Sequence, residues 1–284
     1  MKIVFRVAYA HEEDFDSKVM QYILNSGLNL FGFPEKWPPT LSSYPRDLVT
    51  CFSGVVFLNS KLGKVGSREK GGIKIRSSPY GEGGRVLCVT NKMIVAENII
   101  VSNGKSSPPV LNGIEQLGIK VGLFPMPLVG MLSFQGDDCG KMSTNDHLDR
   151  VACLILGKDD KPHLLIEKNI LSGEFIGEKK KKDLLIVDPE RSLAKIKEMC
   201  GDLDITLHCL DDISVPYALN MIQFFDGKIL MTGGDDIVYK MVSSIVGEEK
   251  VFRTETPIKY FPLLAKAGIR CLIGVIPEIL TKET

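Results

Sequence analysis

A chain of 284 residues can form one large domain or two ordinary ones, and 44% hydrophobic with 25% charged residues is ordinary for a protein with a sizeable core. Lys plus Arg and Asp plus Glu both number 35, which leaves no net field to attract nucleic acid or an anionic membrane. No apolar run approaches the roughly 18 to 20 residues of a membrane span, and the opening "MKIVFRVAYAHEED" turns acidic too early for a secretory leader.

In chain order, short β-rich runs recur throughout: "KIVFRVA", "LVTCFSGVVFL", "RVLCVT", "MIVAENIIV", "KVGLFP", "RVACLIL", "HLLIEK", "DLLIVD", "ITLHCL", "YALNMIQFF", "KILMTG" and "IRCLIGVI". They are bounded by Gly, Asn, Asp or Pro and are rich in Val, Ile, Leu and Phe, as strands are. Helical patterns fall between them: "DFDSKVMQYILNSG", "PPVLNGIEQLG", "PERSLAKIKEMCG", "DDIVYKMVSSIVG" and "TPIKYFPLLAKAG". The third has Asp188 as N-cap, Pro189 at the first helical position and Gly201 just past the expected end. The fourth has Asp235 and Asp236 at its start and Gly247 as its stop, so that acidic pair reads as a cap rather than a metal site. The block Lys179 to Lys182 reads as a solvated loop, and "KLGKVGSREKGGIKIRSS" (Lys61 to Ser78) as a surface loop.

Two or three strands per helix is too strand-rich for simple βαβ alternation. A unit of about 50 residues, repeated with little internal identity, accounts for the pattern better. No linker divides the chain, so residues 1–284 are expected to form a single domain. The seven cysteines (Cys51, Cys88, Cys139, Cys153, Cys200, Cys209, Cys271) are odd in number and include no CxxC pair. That favours reduced thiols in a cytoplasmic setting over a disulfide framework or a zinc site. Neither a metal nor a cofactor is called for.

Four polar features stand at strand starts: Arg46-Asp47 in "SSYPRDLVTCF", Glu82 in "PYGEGGRVLCV", His147-Leu148-Asp149 in "NDHLDRVACLIL", and Cys271 in "AKAGIRCLIGVI". Each alone has a bland explanation as a turn cap, a tight turn or a packed thiol, and Cys88 and Cys153 read as packing. Alternation along an extended segment would put His147 and Asp149 on one face. Together the four features suggest more. A cysteine needs a base to become a thiolate, which His147 can supply, and an imidazole needs a carboxylate to fix its tautomer, which Glu82 can supply. Asp47 and Asp149 then remain, and paired carboxylates suit the forked donors of a planar guanidinium. Cys139, a rival nucleophile, sits beside acidic residues that would raise a thiol pKa.

The order Arg-Asp, Glu-Gly-Gly, His-x-Asp and a cysteine near the end resembles the guanidine-modifying (pentein) superfamily of arginine and agmatine deiminases, dimethylarginine hydrolases, peptidylarginine deiminases and amidinotransferases. "YPRD", "EGGRVLCVTNKMIVAE" and "NDHLDRVACLIL" resemble that family's Arg-Asp, Glu-Gly-Gly and His-x-Asp segments. "AGIRCLIGVI" looks like a variant of its Gly-Gly-x-x-Cys ending, with Ala267-Gly268 in place of the doubled glycine. "VPYALNMIQFFDGKILMTGGDD" resembles the penultimate unit.

The resemblance implies an α/β fold: a five-bladed α/β propeller of ββαβ-type units with pseudo-fivefold symmetry. It also implies a cysteine-dependent hydrolase acting on arginine or an arginine derivative through a covalent thiouronium intermediate. Cys271 would be the nucleophile, His147 the general acid/base and Glu82 its orienting partner. Asp47 and Asp149 would hold the guanidinium. Of the arginines that could meet a substrate carboxylate (Arg85, Arg150, Arg253, Arg270), Arg270 is the candidate carried forward. Chain length favours the compact dimethylarginine hydrolases, whereas His-x-Asp is the deiminase signature. The alternatives are amidino transfer, or a non-catalytic pentein that binds a macromolecule. A small-molecule guanidino substrate is the expected partner, without nucleic acid or membrane, and a homo-oligomer is left open.

Overall fold

The computed structural model describes residues 5–9, 29–32, 49–59, 67–70, 72–80, 83–96, 113–125, 130–132, 142–144, 148–168, 189–214, 218–224, 226–253, 270 and 273–277. Within these segments one pairing scheme occurs five times: an antiparallel strand pair whose second member takes a third strand in parallel. β1 (Phe5–Tyr9) pairs in parallel with β2 (Asn29–Gly32) and antiparallel with the last strand, β18 (Ile273–Pro277). β3 (Val49–Phe52) and β4 (Val55–Leu58) form a hairpin. A second hairpin, β5 (Arg68–Lys70) with β6 (Ile73–Ser77), joins that sheet through a parallel β4–β6 pairing. β7 (Val86–Val89), β8 (Lys92–Ala96) and β9 (Lys120–Phe124) follow the same scheme. After the separate hairpin β10 (Gly130–Leu132) and β11 (Met142–Thr144), so do β12 (Ala152–Leu156), β13 (Pro162–Glu167) and β14 (Thr206–Leu210). β15 (Ile222–Gln223), β16 (Ile229–Met231) and β17 (Val251–Arg253) complete the set.

Among the described residues, two long helices occupy parallel crossovers, where a connection must carry the chain back along the sheet. α1 (Pro189–Asp202) lies between β13 and β14, and α2 (Asp236–Val246) between β16 and β17. Each is wedged against apolar strand faces. Ile196, Met199, Cys200 and Leu203 of the α1 region join Val86, Ile94, Phe124, Leu164 and Ile166 in one buried cluster. Val238, Val242, Ile245 and Val246 of α2 join Cys153, Ile155, Leu165, Ile229 and Met231 in a second. Each fully buried Val, Leu or Ile contributes about 1.5 to 3 kcal/mol, so β12 and β13, buried almost end to end, anchor both clusters. Gly122 lets β9 press against α1, since a Cβ there would lie 2.7 Å from both Leu203 Cδ1 and Met199 Cγ.

Several sequence expectations change. "LVTCFSGVVFL" is not one strand but a hairpin, because Ser53 and Gly54 both take positive φ (50° and 72°) and reverse the chain. The expected surface loop between Lys61 and Ser78 contains β5 and β6. There alternating Ile73 and Ile75 are buried, which its Gly and Lys content obscured. α1 begins at Pro189 as expected but continues through Gly201 to Asp202, and the chain turns at Asp204, with φ 51°. Among the described residues of "YALNMIQFF", strand is confined to Ile222 and Gln223. Asp188 and the lysine block lie outside the described residues.

Asp235 caps α2 and also fastens it to the preceding unit. Its Oδ1 accepts from Val238 N at 3.0 Å, while Oδ2 accepts from Ser214 N at 2.8 Å and Ser214 Oγ at 3.1 Å. Because the side chain is buried, Asp235→Ala should cost about 2 kcal/mol or more, the upper end for a lost cap, read as a shift in the urea midpoint. Nearby, burial and then the Asp235 charge push the Glu167 carboxyl up to about 7 from 4.5. A carboxyl with a raised folded-state pKa favours the native state most below its unfolded pKa, and that contribution is lost as pH rises through the folded value. Glu167→Gln should therefore flatten a decline in stability between about pH 4.5 and about pH 7, measured as urea midpoint against pH.

Candidate functional site

Strand starts bring the motif-bearing segments together. Leu148–Arg150 forms a short 3-10 turn directly before β12, closed by Val151 N donating to Leu148 O at 3.1 Å. Leu148 and Asp149 are completely buried. Asp149 therefore lies in a turn rather than in an extended segment, and His147 lies outside the described residues. The strand starts only at Ala152, after the turn has spent its backbone groups locally. Gly83–Arg85, which follows Glu82, is a second 3-10 turn and packs against the first. The strands that follow these two turns, β7 and β12, are also in contact, as are β18 and β3. β3 follows Asp47 and β18 follows Cys271 in the chain.

The most direct joints are hydrogen bonds. Asn220, fully buried, donates from Nδ2 to Asp149 O at 3.1 Å, and its Oδ1 accepts from Arg270 N at 2.8 Å. Arg270 N also lies 3.4 Å from Asn220 O. Arg270 is 8% exposed, and its Nη2 donates to Val86 O at 3.1 Å. The starts of β7, β12, β15 and β18 are thus tied by three polar residues far apart in the chain.

Of the residues singled out from sequence, Asp149 and Arg270 fall within this junction. Asp47, Glu82, His147 and Cys271 lie outside the described residues, as does Cys139. Arg270 has one guanidinium nitrogen engaged with the protein backbone, so a substrate carboxylate would have to be met by its remaining donors.

Cys153 shows the electrostatics of this interior. Burial pushes its thiol up to about 12; the Arg270 charge opposes this, Asp149 adds to it, and a hydrogen bond with the Met221 backbone opposes it again. A buried thiol so raised is inert packing rather than a nucleophile. Cys200 is likewise pushed up to about 11, chiefly by burial. Among the described residues no group of three or more His, Cys, Asp or Glu side chains could hold a metal ion.

Sequence reading missed Asn220 altogether. Its signal was a single amide inside the apolar run "YALNMIQFF", where a side chain with both donor and acceptor is costly unless both are used. It also missed the chain Asp159–His163–His208. His163 Nε2 lies 3.1 Å from Asp159 Oδ1, and its Nδ1 lies 2.9 Å from His208 Nε2. Burial, then the neighbouring His163, lowers the His208 pKa. His163 pairs with Ile155, near the far end of β12 from Asp149, so this chain is not part of the junction.

No protein-family model and no curated protein matches the sequence. Solved structures do match in shape. The N-terminal domain of ArgZ, an arginine dihydrolase from the ornithine-ammonia cycle in cyanobacteria, superposes with a TM-score of 0.56 at 12% identity, covering 96% of this chain and 97% of that one. The agmatine deiminase of C. jejuni gives a TM-score of 0.52 at 11% identity, covering 97% and 93%. DDAH from Pseudomonas aeruginosa, complexed with citrulline, gives 0.51 at 12% identity, covering 95% and 98%. The chain has the fold that these guanidine-modifying (pentein) proteins share.

Proposed function

We propose that this protein is a cysteine-dependent hydrolase of the guanidinium group of arginine or an arginine derivative, and that residues 1–284 form one five-bladed propeller domain around its site. The observation that carries this reading is the buried junction of Asp149, Asn220, Arg270 and Val86. Val86, Asp149 and Arg270 are near neighbours in the chain of Glu82, His147 and Cys271, which supports the reading, as does a fold shared with arginine- and agmatine-processing enzymes.

In the proposed reaction, Asp47 and Asp149 hold the guanidinium through paired charge-assisted hydrogen bonds. The cation so held favours the Cys271 thiolate. The sulfur attacks the guanidinium carbon, and the C–N π electrons move onto nitrogen to give a tetrahedral adduct. His147, kept in one tautomer by Glu82, passes a proton to the departing nitrogen. Its loss as ammonia or an amine leaves a covalent thiouronium. His147 then takes a proton from water as the water oxygen attacks that carbon. Collapse breaks the C–S bond and forms the C=O bond as the hydroxyl proton leaves to the released ammonia or amine, which returns the thiolate and gives a ureido product. One water is consumed and one ammonia or amine is formed. Arg270, with one guanidinium nitrogen committed to Val86 O, meets a substrate carboxylate through its remaining donors.

Incubation with arginine, methylarginines and agmatine, followed by assay of ureido products, tests the assignment. The expected result is turnover of at least one, lost by about 10³-fold or more in Cys271→Ala and by about 10²- to 10⁴-fold in His147→Ala. Product that forms only when an acceptor amine is added would assign amidino transfer instead. No turnover of any of them, or an unimpaired Cys271→Ala variant, would overturn the reading.

A further inference from the structure

We infer that Asn220 is a positioning residue that sets the separation between the guanidinium-holding Asp149 and the Cys271 nucleophile; this rests on the function proposed above. The carboxamide is completely buried and spans two segments that are 71 and 50 residues away in the chain. Its two ends perform opposite tasks: Nδ2 donates to the Asp149 carbonyl, and Oδ1 accepts from the Arg270 amide. Arg270 is the residue directly before Cys271 in the chain, so a bond to its N–H holds the backbone one residue ahead of the proposed nucleophile. The Arg270 side chain extends the same link to Val86, the first residue of β7, by Nη2 donating to Val86 O at 3.1 Å. Asn220 thus acts through the backbone of its neighbours and need not touch substrate.

The chemistry of the side chain is specific. Aspartate matches asparagine in shape, but as a carboxylate it cannot donate to the Asp149 carbonyl and would place a second negative charge in a buried site. Alanine leaves both backbone groups without this partner. Serine retains one short polar group, which can serve one end but not both. A reaction that needs the attacking sulfur within about 3 to 3.5 Å of the guanidinium carbon is sensitive to displacement of either segment.

The test compares Asn220→Ala, Asn220→Ser and Asn220→Asp with the wild type in three readouts. These are the kcat and KM split on whichever guanidino compound is turned over, the pH profile of Cys271 alkylation by iodoacetamide with peptide mass mapping, and the melting temperature. In folded variants kcat should fall by about 10- to 100-fold, with KM changed less, and the Cys271 alkylation profile should move along the pH axis. Asn220→Ser should fall between alanine and wild type. An unchanged kcat and an unchanged alkylation profile in a folded variant would overturn the inference. So would failure of all three variants to fold, because the amide would then serve the whole fold rather than the site. A wild type that turns over no guanidino compound would sink the proposed function alone, since the alkylation profile still reports whether Asn220 governs Cys271.

Discussion

A buried amide that must satisfy both of its ends organises the centre of this fold. Four strand starts converge there, and strand starts carry backbone groups with no partner in the ladder. Asn220 offers one donor and one acceptor in the space between them, and Arg270 extends the connection to Val86. Water is excluded from the site of Asn220, so each of these bonds must be made within the protein or be paid for at the desolvation cost of an orphaned group, about 1 to 3 kcal/mol. The convergence is therefore specified by polar geometry, while the apolar clusters around it supply most of the binding energy between units.

The repeated pairing scheme explains why such a junction forms at all. The units β7–β8–β9, β12–β13–β14 and β15–β16–β17 each begin with an antiparallel pair and return for a parallel third strand, and the junction joins the entries to their first strands. The pairing of β18 with β1 assigns the last strand of the chain to the unit that holds its first. The residue before Cys271 is thereby brought to the same region as Asp149, although 121 positions (270 − 149) separate Arg270 and Asp149 in the chain. Helices in the crossovers fill the gaps between neighbouring sheets, with α1 serving one apolar cluster and α2 the other.

Local patterns were legible where local physics decides the outcome. Asp235 as a cap, Pro189 at a helix start and Gly247 at a helix end follow from backbone groups within a few residues. The short strands were visible as apolar runs, although Ser53-Gly54 needed recognition as a reversing pair before one run became two strands. The turn at Leu148–Arg150 was not visible, because its burial comes from packing against other units, Gly83–Arg85 among them. Asn220 was invisible for the same reason. Its partners lie in other units, and no local spacing marks an amide whose value depends on residues 50 and 71 positions away. The inward bond of Arg270 likewise reaches across 184 positions to Val86.

The central claim is covalent catalysis at one cysteine, and acid quenching during turnover reads it directly. Intact-mass and peptide mass analysis of protein quenched in the presence of arginine, a methylarginine or agmatine should reveal an adduct on the peptide containing Cys271. Its mass should equal that of the substrate after loss of ammonia or an amine, and it should be absent from Cys271→Ala incubated for the same time. An adduct carried by Cys139 or another cysteine, or turnover that proceeds with Cys271 unmodified at every quench time, would contradict the account.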